Sequence, residues 1–152
     1  MGAKLENTRG FCYSFYVNYL GIDYGEHRVG VAFADSDMRW AFPRETIDQK
    51  KQTLMDRLAE LVRINKIDIF VVGMPYRPDG RTDGKNVVVA EFVRELREKF
   101  PQIPVETQDE AYSSVTAQER TSYLSKKKKQ TDKGIIDREA AAIILQAFLD
   151  KK

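Results

Sequence analysis

The sequence predicts an α/β domain built on a five-stranded mixed sheet with helices on both faces. Two runs of strand formers, residues 19–25 and 28–35, stand at hairpin distance from one another. Residues 67–73 are almost continuously apolar, as in a parallel strand covered on both sides. Beyond them, apolar residues recur at helical spacing and alternate with short strands. Right-handed crossovers from a hairpin-linked triple to two parallel strands put the first strand in the middle of the sheet.

Taken in order, Tyr19-Leu20-Gly21-Ile22-Asp23-Tyr24-Gly25 reads as a short strand that delivers Asp23 and then turns at Gly25. A third strand over 38–47 is interrupted by Pro43, which assigns it to a sheet edge or a bulge. Leu54, Leu58, Leu61 and Val62 mark the buried stripe of a helix over 49–65. The connection 74–86 is long, and in compact domains such loops bind something or move. Val89, Phe92, Val93, Leu96 and Phe100 form a second helix that Pro101 closes, and 103–108 is a further strand ending at Asp109 and Glu110. Ser113 and Ser114 suit the N-cap of a helix to Leu124. After a polar, basic stretch over 125–134 comes a last helix over 135–149, apolar around much of its circumference and therefore buried. Residues 1–18 read as an N-terminal extension and 19–152 as one domain.

Composition narrows the chemistry. A chain of 152 residues has the size of one domain that can bury a core without staples. Its net charge of +2, from 25 basic and 23 acidic side chains, announces no polyanion partner, so any cationic patch must be local. Cys12 is the only cysteine and His27 the only histidine, which leaves cysteine-rich zinc sites and Ser-His-Asp chemistry little to work with. No apolar run has the length of a membrane span and no secretory leader opens the chain, so a cytoplasmic protein without membrane contact is expected.

Carboxylates are the remaining candidates. In sheets of this kind, sites form beyond the C-terminal ends of the parallel strands. Asp23 ends the first strand, Asp109 and Glu110 end the last, and Asp137 opens the final helix on the face of Ala141, Ile144 and Phe148. Asp109 and Glu110 point to opposite faces of an extended strand, so one of them joins the group. Gathered carboxylates repel one another unless a hard cation neutralises them, and oxygen ligands suit Mg²⁺ or Mn²⁺. Two such ions can activate water and stabilise a leaving oxygen in phosphodiester hydrolysis.

These residues resemble a known family. Leu20-Gly21-Ile22-Asp23-Tyr24-Gly25, Arg28-Val29-Gly30-Val31-Ala32, Val71-Val72-Gly73-Met74-Pro75 with Asp79-Gly80, Asp109-Glu110, and Asp137-Arg138-Glu139-Ala140-Ala141-Ala142 look like the successive motifs of the YqgF family. The resemblance implies a ribonuclease H-like fold, and it covers residues 19–150. It also implies a nuclease that matures the 5′ end of pre-16S ribosomal RNA or, alternatively, resolves Holliday junctions. On this resemblance Asp23, Glu110 and Asp137 are the metal-binding catalytic residues. The family's Arg after Asp-Glu is replaced here by Ala111, while its hydroxyl pair is kept as Ser113 and Ser114.

A polyanion next to clustered carboxylates needs a cationic rim. Arg77, Arg81 and Lys85 in one loop, and Lys126, Lys127, Lys128, Lys129 and Lys133 in another, are the candidates. Expected partners are pre-rRNA or branched DNA and ribosomal precursor particles, with the protein a monomer or a homodimer. A non-cleaving nucleic-acid-binding module of the same fold is the rival from another class. An actin-like sugar kinase, whose phosphate strands also begin with Asp-x-Gly, normally needs two such domains where this chain supplies one.

Overall fold

The computed structural model describes residues 16–75, 84–110, 132 and 134–152. Strands β1 (Asn18–Asp23), β2 (Arg28–Asp35), β3 (Phe42–Asp48), β4 (Ile69–Met74) and β5 (Val105–Asp109) form one sheet in the order β3-β2-β1-β4-β5. Helices α1 (Leu54–Asn65), α2 (Gly84–Lys99) and α3 (Ile135–Asp150) complete the described elements. β1 pairs antiparallel with β2 and parallel with β4, so the expected mixed sheet with β1 at its centre is present.

The two-residue period of the strands sorts their side chains onto two unlike faces. One carries Leu20, Ile22, Val29, Val31, Phe70 and Val72, packed against the apolar stripes of α1 and α2. The other carries Tyr19, Ala32, Ala34 and Val71 against α3. Small residues dominate this second face because α3 lies almost directly on it. A Cβ at Gly21 would stand 2.7 Å from the Leu145 Cβ, and one at Gly30 1.9 Å from the Asp137 carbonyl oxygen.

Both ends of α3 are fastened to the sheet. At its head, the Thr46 hydroxyl of β3 donates to the Gly134 carbonyl at 2.6 Å, and Arg138 grips the Asp132 carboxylate at 2.6 and 3.2 Å. At its tail, Arg39 donates to the carbonyls of Leu149 and Lys152 at 2.9 and 3.0 Å. The cation thus adds a donor at the last carbonyls and meets the negative end of the helix dipole. Arg39→Ala is expected to cost about 1 kcal/mol in urea unfolding, the upper end for an exposed cation at a helix C-terminus, with no effect at the distant head of the helix.

Local differences from the sequence reading have physical reasons. α1 starts at Leu54, not at 49, because Gln49 is used elsewhere: its side-chain amide donates to the Gly25 and Glu26 carbonyls at 2.6 and 3.1 Å, bracing the β1–β2 turn. β3 starts at Phe42, because residues before it form a turn in which the Asp35 carboxylate accepts the Met38 amide and Arg39 takes a positive φ of 55°. Pro43 sits in an edge strand and beside a bulge, so both alternatives hold at once. Asn18, read as the last residue of the extension, opens β1, and Val17 just before it donates to the Ser36 hydroxyl and accepts from the Ser36 amide. Residues 1–15 and the helix expected from Ser113 lie outside the described residues. Among those described, no helix is long and apolar enough to cross a membrane.

Candidate active site

Asp23 is the last residue of β1, and its pairing with Gly30 of β2 places it on the α3 face at the C-terminal end of the sheet. β5 ends beside β4, with Met74 opposite Asp109 and the Glu110 amide donating to the Met74 carbonyl at 3.0 Å. This fixes which acid turns inward. Asp109 is exposed, whereas the Glu110 side chain is only 7% exposed and lies under Gly73, where a Cβ would stand 2.6 Å from its Oε2. The glycine makes the space that the carboxylate fills.

The two acids meet. Burial pushes the Asp23 carboxyl up to about 7, and repulsion from Glu110 adds to it; Lys85 opposes the rise, and Asp137 and a hydrogen bond with Glu110 add smaller increments. Glu110 Oε2 is buried without a hydrogen-bond donor, while Lys85 Nζ reaches its Oε1 at 3.5 Å from the first turn of α2. A proton held by Asp23, or a cation placed between the two acids, supplies what Oε2 lacks.

Asp137 stands in the first turn of α3, its carboxylate 24% exposed and paired with the Arg28 guanidinium at 2.8 Å. Arg28 was not among the expected site residues. Its position could have been read from the sequence: residues 28 and 30 share a face of β2, and Gly30 is the partner of Asp23. The pairing with Asp137 could not, because the two are 109 positions apart.

The described residues thus bring Asp23, Glu110 and Lys85 together and set Asp137 beside them, held by Arg28. As placed, no three His, Cys, Asp or Glu side chains among them are grouped closely enough to hold a metal ion. Arg77, Arg81, Ser113, Ser114, Lys126, Lys127, Lys128, Lys129 and Lys133 lie outside the described residues.

Comparison with known proteins agrees with this architecture. The sequence model of the RuvX family, described as Holliday junction resolvase, matches residues 17–151. A "Putative pre-16S rRNA nuclease" of Fusobacterium nucleatum is 34% identical over 134 residues, covering 88% of this chain and 97% of that protein. One of the same description from Chlorobaculum tepidum is 38% identical over 139 residues, covering 90% and 96%. Among solved structures, Thermus thermophilus RuvC in complex with a Holliday junction substrate superposes with a TM-score of 0.54 over 89% of this chain and 94% of that one, at 14% identity, a likeness of fold. The chain belongs to the RuvX family, the YqgF family that its motifs resemble, and has its ribonuclease H-like fold.

Proposed function

We propose that the protein is a divalent-metal-dependent nuclease that hydrolyses phosphodiester bonds in the precursor of 16S ribosomal RNA. The observation that carries this reading is the meeting of the Asp23 and Glu110 carboxylates at the sheet end, one with a raised pKa and the other with a buried oxygen that has no donor. Two acids brought together at such a cost suit a site that binds a cation. The substrate class follows from relatives described as pre-16S rRNA nucleases. A second reading, resolution of Holliday junctions, is favoured by the family description and by the fold of RuvC.

Asp23 and Glu110 suit a Mg²⁺ or Mn²⁺ ion as hard oxygen donors and would hold it, with Asp137 as the third ligand. The ion, when bound, lowers the pKa of its water and neutralises charge on the phosphate. The chain's own residues do the rest. Lys85, already at the edge of the acid pair, offsets the repulsion between carboxylates and substrate. Arg28 holds Asp137 at the mouth of the site and presents a planar donor that suits a phosphate. In the cytoplasm such a protein would meet precursor particles directly.

Adding Mg²⁺ is expected to raise the melting temperature of the wild type, because the ion binds only the folded arrangement. Asp137→Asn should lose most of that increment while keeping its circular dichroism spectrum. In a cleavage panel of precursor rRNA, unstructured RNA and four-way junction DNA, the wild type should cut the precursor with Mg²⁺ or Mn²⁺. Preference for the junction would establish the second reading. Binding without cleavage of any of the three would sink both.

A further inference from the structure

A groove of about 700 Å³ lies toward the free edge of the sheet, between β3 and the head of α3. Arg28, Arg44, Lys51 and Arg138 line it together with Glu45, Asp48 and Asp132. Arg28 links it to the candidate site, being both a wall of the groove and the partner of Asp137.

Two of the three acids of the groove are paired with cations, while two of its cations have no acidic partner among the described residues, so a net positive charge remains. Glu45 is held from outside by Arg57 through two bonds of 2.8 and 2.7 Å, and Asp132 is held by Arg138. Asp48, the third acid, accepts the Lys50 amide. Arg44 and Lys51 are exposed and make no ion pair among the described residues. Surplus positive charge in a concavity attracts a polyanion more strongly than the same charge on a convex surface.

The backbone supplies an independent observation. Val31 of β2 faces Glu45 while Ala32 faces Pro43, so Arg44 is the extra residue of a bulge. In a regular strand Arg44 and Glu45 would point to opposite faces, yet both line this groove together with Thr46. Bulges re-aim side chains, and this one turns a cation toward the groove. Exposed cations on an edge strand also discourage strand pairing, but that role needs no bulge and no continuity with the site.

We infer that this groove is a binding track for the phosphodiester backbone of the substrate strand as it leaves the carboxylates, with Arg44 and Lys51 as its phosphate contacts. The inference rests on the nuclease reading and adds a surface distinct from the two loops that the sequence singled out. Such contacts hold the strand without reading its bases.

The test is fluorescence anisotropy with a labelled single-stranded RNA of mixed sequence, in the full-length Asp23→Asn background so that the RNA stays intact. Arg44→Ala with Lys51→Ala should weaken binding and flatten log affinity against log salt by about 0.7 per contact, or about 1.4 for the pair. Arg63→Ala with Lys99→Ala removes the same charge from exposed positions on α1 and α2 and should change neither quantity. Unaltered affinity and slope in the groove variant would overturn the inference, as would an equal loss in the α1 and α2 control, since net charge alone would then explain it. Cleavage by the wild type is scored separately. Absence of cleavage with the groove effect intact would overturn the nuclease reading alone, and cleavage without the groove effect would overturn the track alone.

Discussion

In the metal-free protein at pH 8, Asp23→Asn is expected to be more stable than the wild type and, in Mg²⁺, to be at least about 100-fold slower as a nuclease, since even partners of metal ligands are worth roughly 10–100-fold. The stability gain comes from burial and from Glu110, which push the Asp23 carboxyl from 3.8 to about 7 in the folded protein. A group whose folded pKa is raised favours folding while protonated. That contribution is fully present below 3.8 and is lost as the pH rises through about 7, so above this the ionised carboxylate works against the fold. An amide cannot ionise, and its N–H group can donate to the orphaned Oε2 of Glu110. The gain should be on the order of 2 kcal/mol, less than the full conversion of the pKa rise, because Lys85 and the surrounding chain relax toward the charge.

The same argument fixes two further features of this experiment. The advantage of Asp23→Asn should shrink as the pH falls below 7 and be mostly gone by pH 4, where the folded carboxyl is protonated and the unfolded one is near its midpoint of 3.8. Adding Mg²⁺ should reverse the order at pH 8, since the ion stabilises only the wild type. Thermal unfolding at pH 4, 6 and 8, with and without Mg²⁺, reads all of this. A variant less stable than the wild type at pH 8 without metal would show that Asp23 is not a strained acid.

Much of this site was legible because it stands at the ends of regular elements. Period-2 and period-3.6 patterns gave each described strand and helix, and the crossover rule then put Asp23 and Glu110 at one end of the sheet. The choice between Asp109 and Glu110 needed the register of β5 on β4, which depends on where a strand ends, and strand ends are decided by tertiary pairing. Arg28 went unread for a different reason. A cation at a strand start is ordinary in sequence, and its meaning comes from Asp137 arriving across the sheet on α3. The bulge at Arg44 was foreshadowed by Pro43, which cannot donate to the ladder, but the groove it serves also needs the head of α3. The early start given to α1 erred because Gln49 and its neighbours are compatible with a helix, and only the β1–β2 turn competes for the Gln49 side chain.

Gly30→Ala is expected to be the most damaging single-methyl change on this face of the sheet. The added Cβ would stand 1.9 Å from the Asp137 carbonyl oxygen, 2.3 Å from its carbon and 2.9 Å from the Arg138 nitrogen, all of them backbone atoms. No rotamer change relieves contacts of that kind. Either β2 or the head of α3 must move, and that head is fastened by Thr46 and by the Arg138–Asp132 pair. Overpacking in a tight core costs typically 1–3 kcal/mol, and a clash with fixed backbone belongs at or above the upper end, about 3 kcal/mol. Because the displaced turn carries Asp137, the Mg²⁺-dependent rise in melting temperature should fall with it. Gly73→Ala separates the two effects. Its Cβ would meet the side-chain ends of Ile144 and Glu110, at 2.4 and 2.6 Å, so the fold can adapt by moving them while the acid pair is disturbed. Gly84 has nothing within 4 Å of its would-be Cβ and opens α2, so Gly84→Ala should leave stability unchanged or raise it by up to about 1 kcal/mol. Urea unfolding of the three variants should therefore rank Gly30→Ala below Gly73→Ala and both below Gly84→Ala. A Gly30→Ala protein as stable as the Gly84→Ala one would mean that α3 does not lie against β2 as closely as this structure has it.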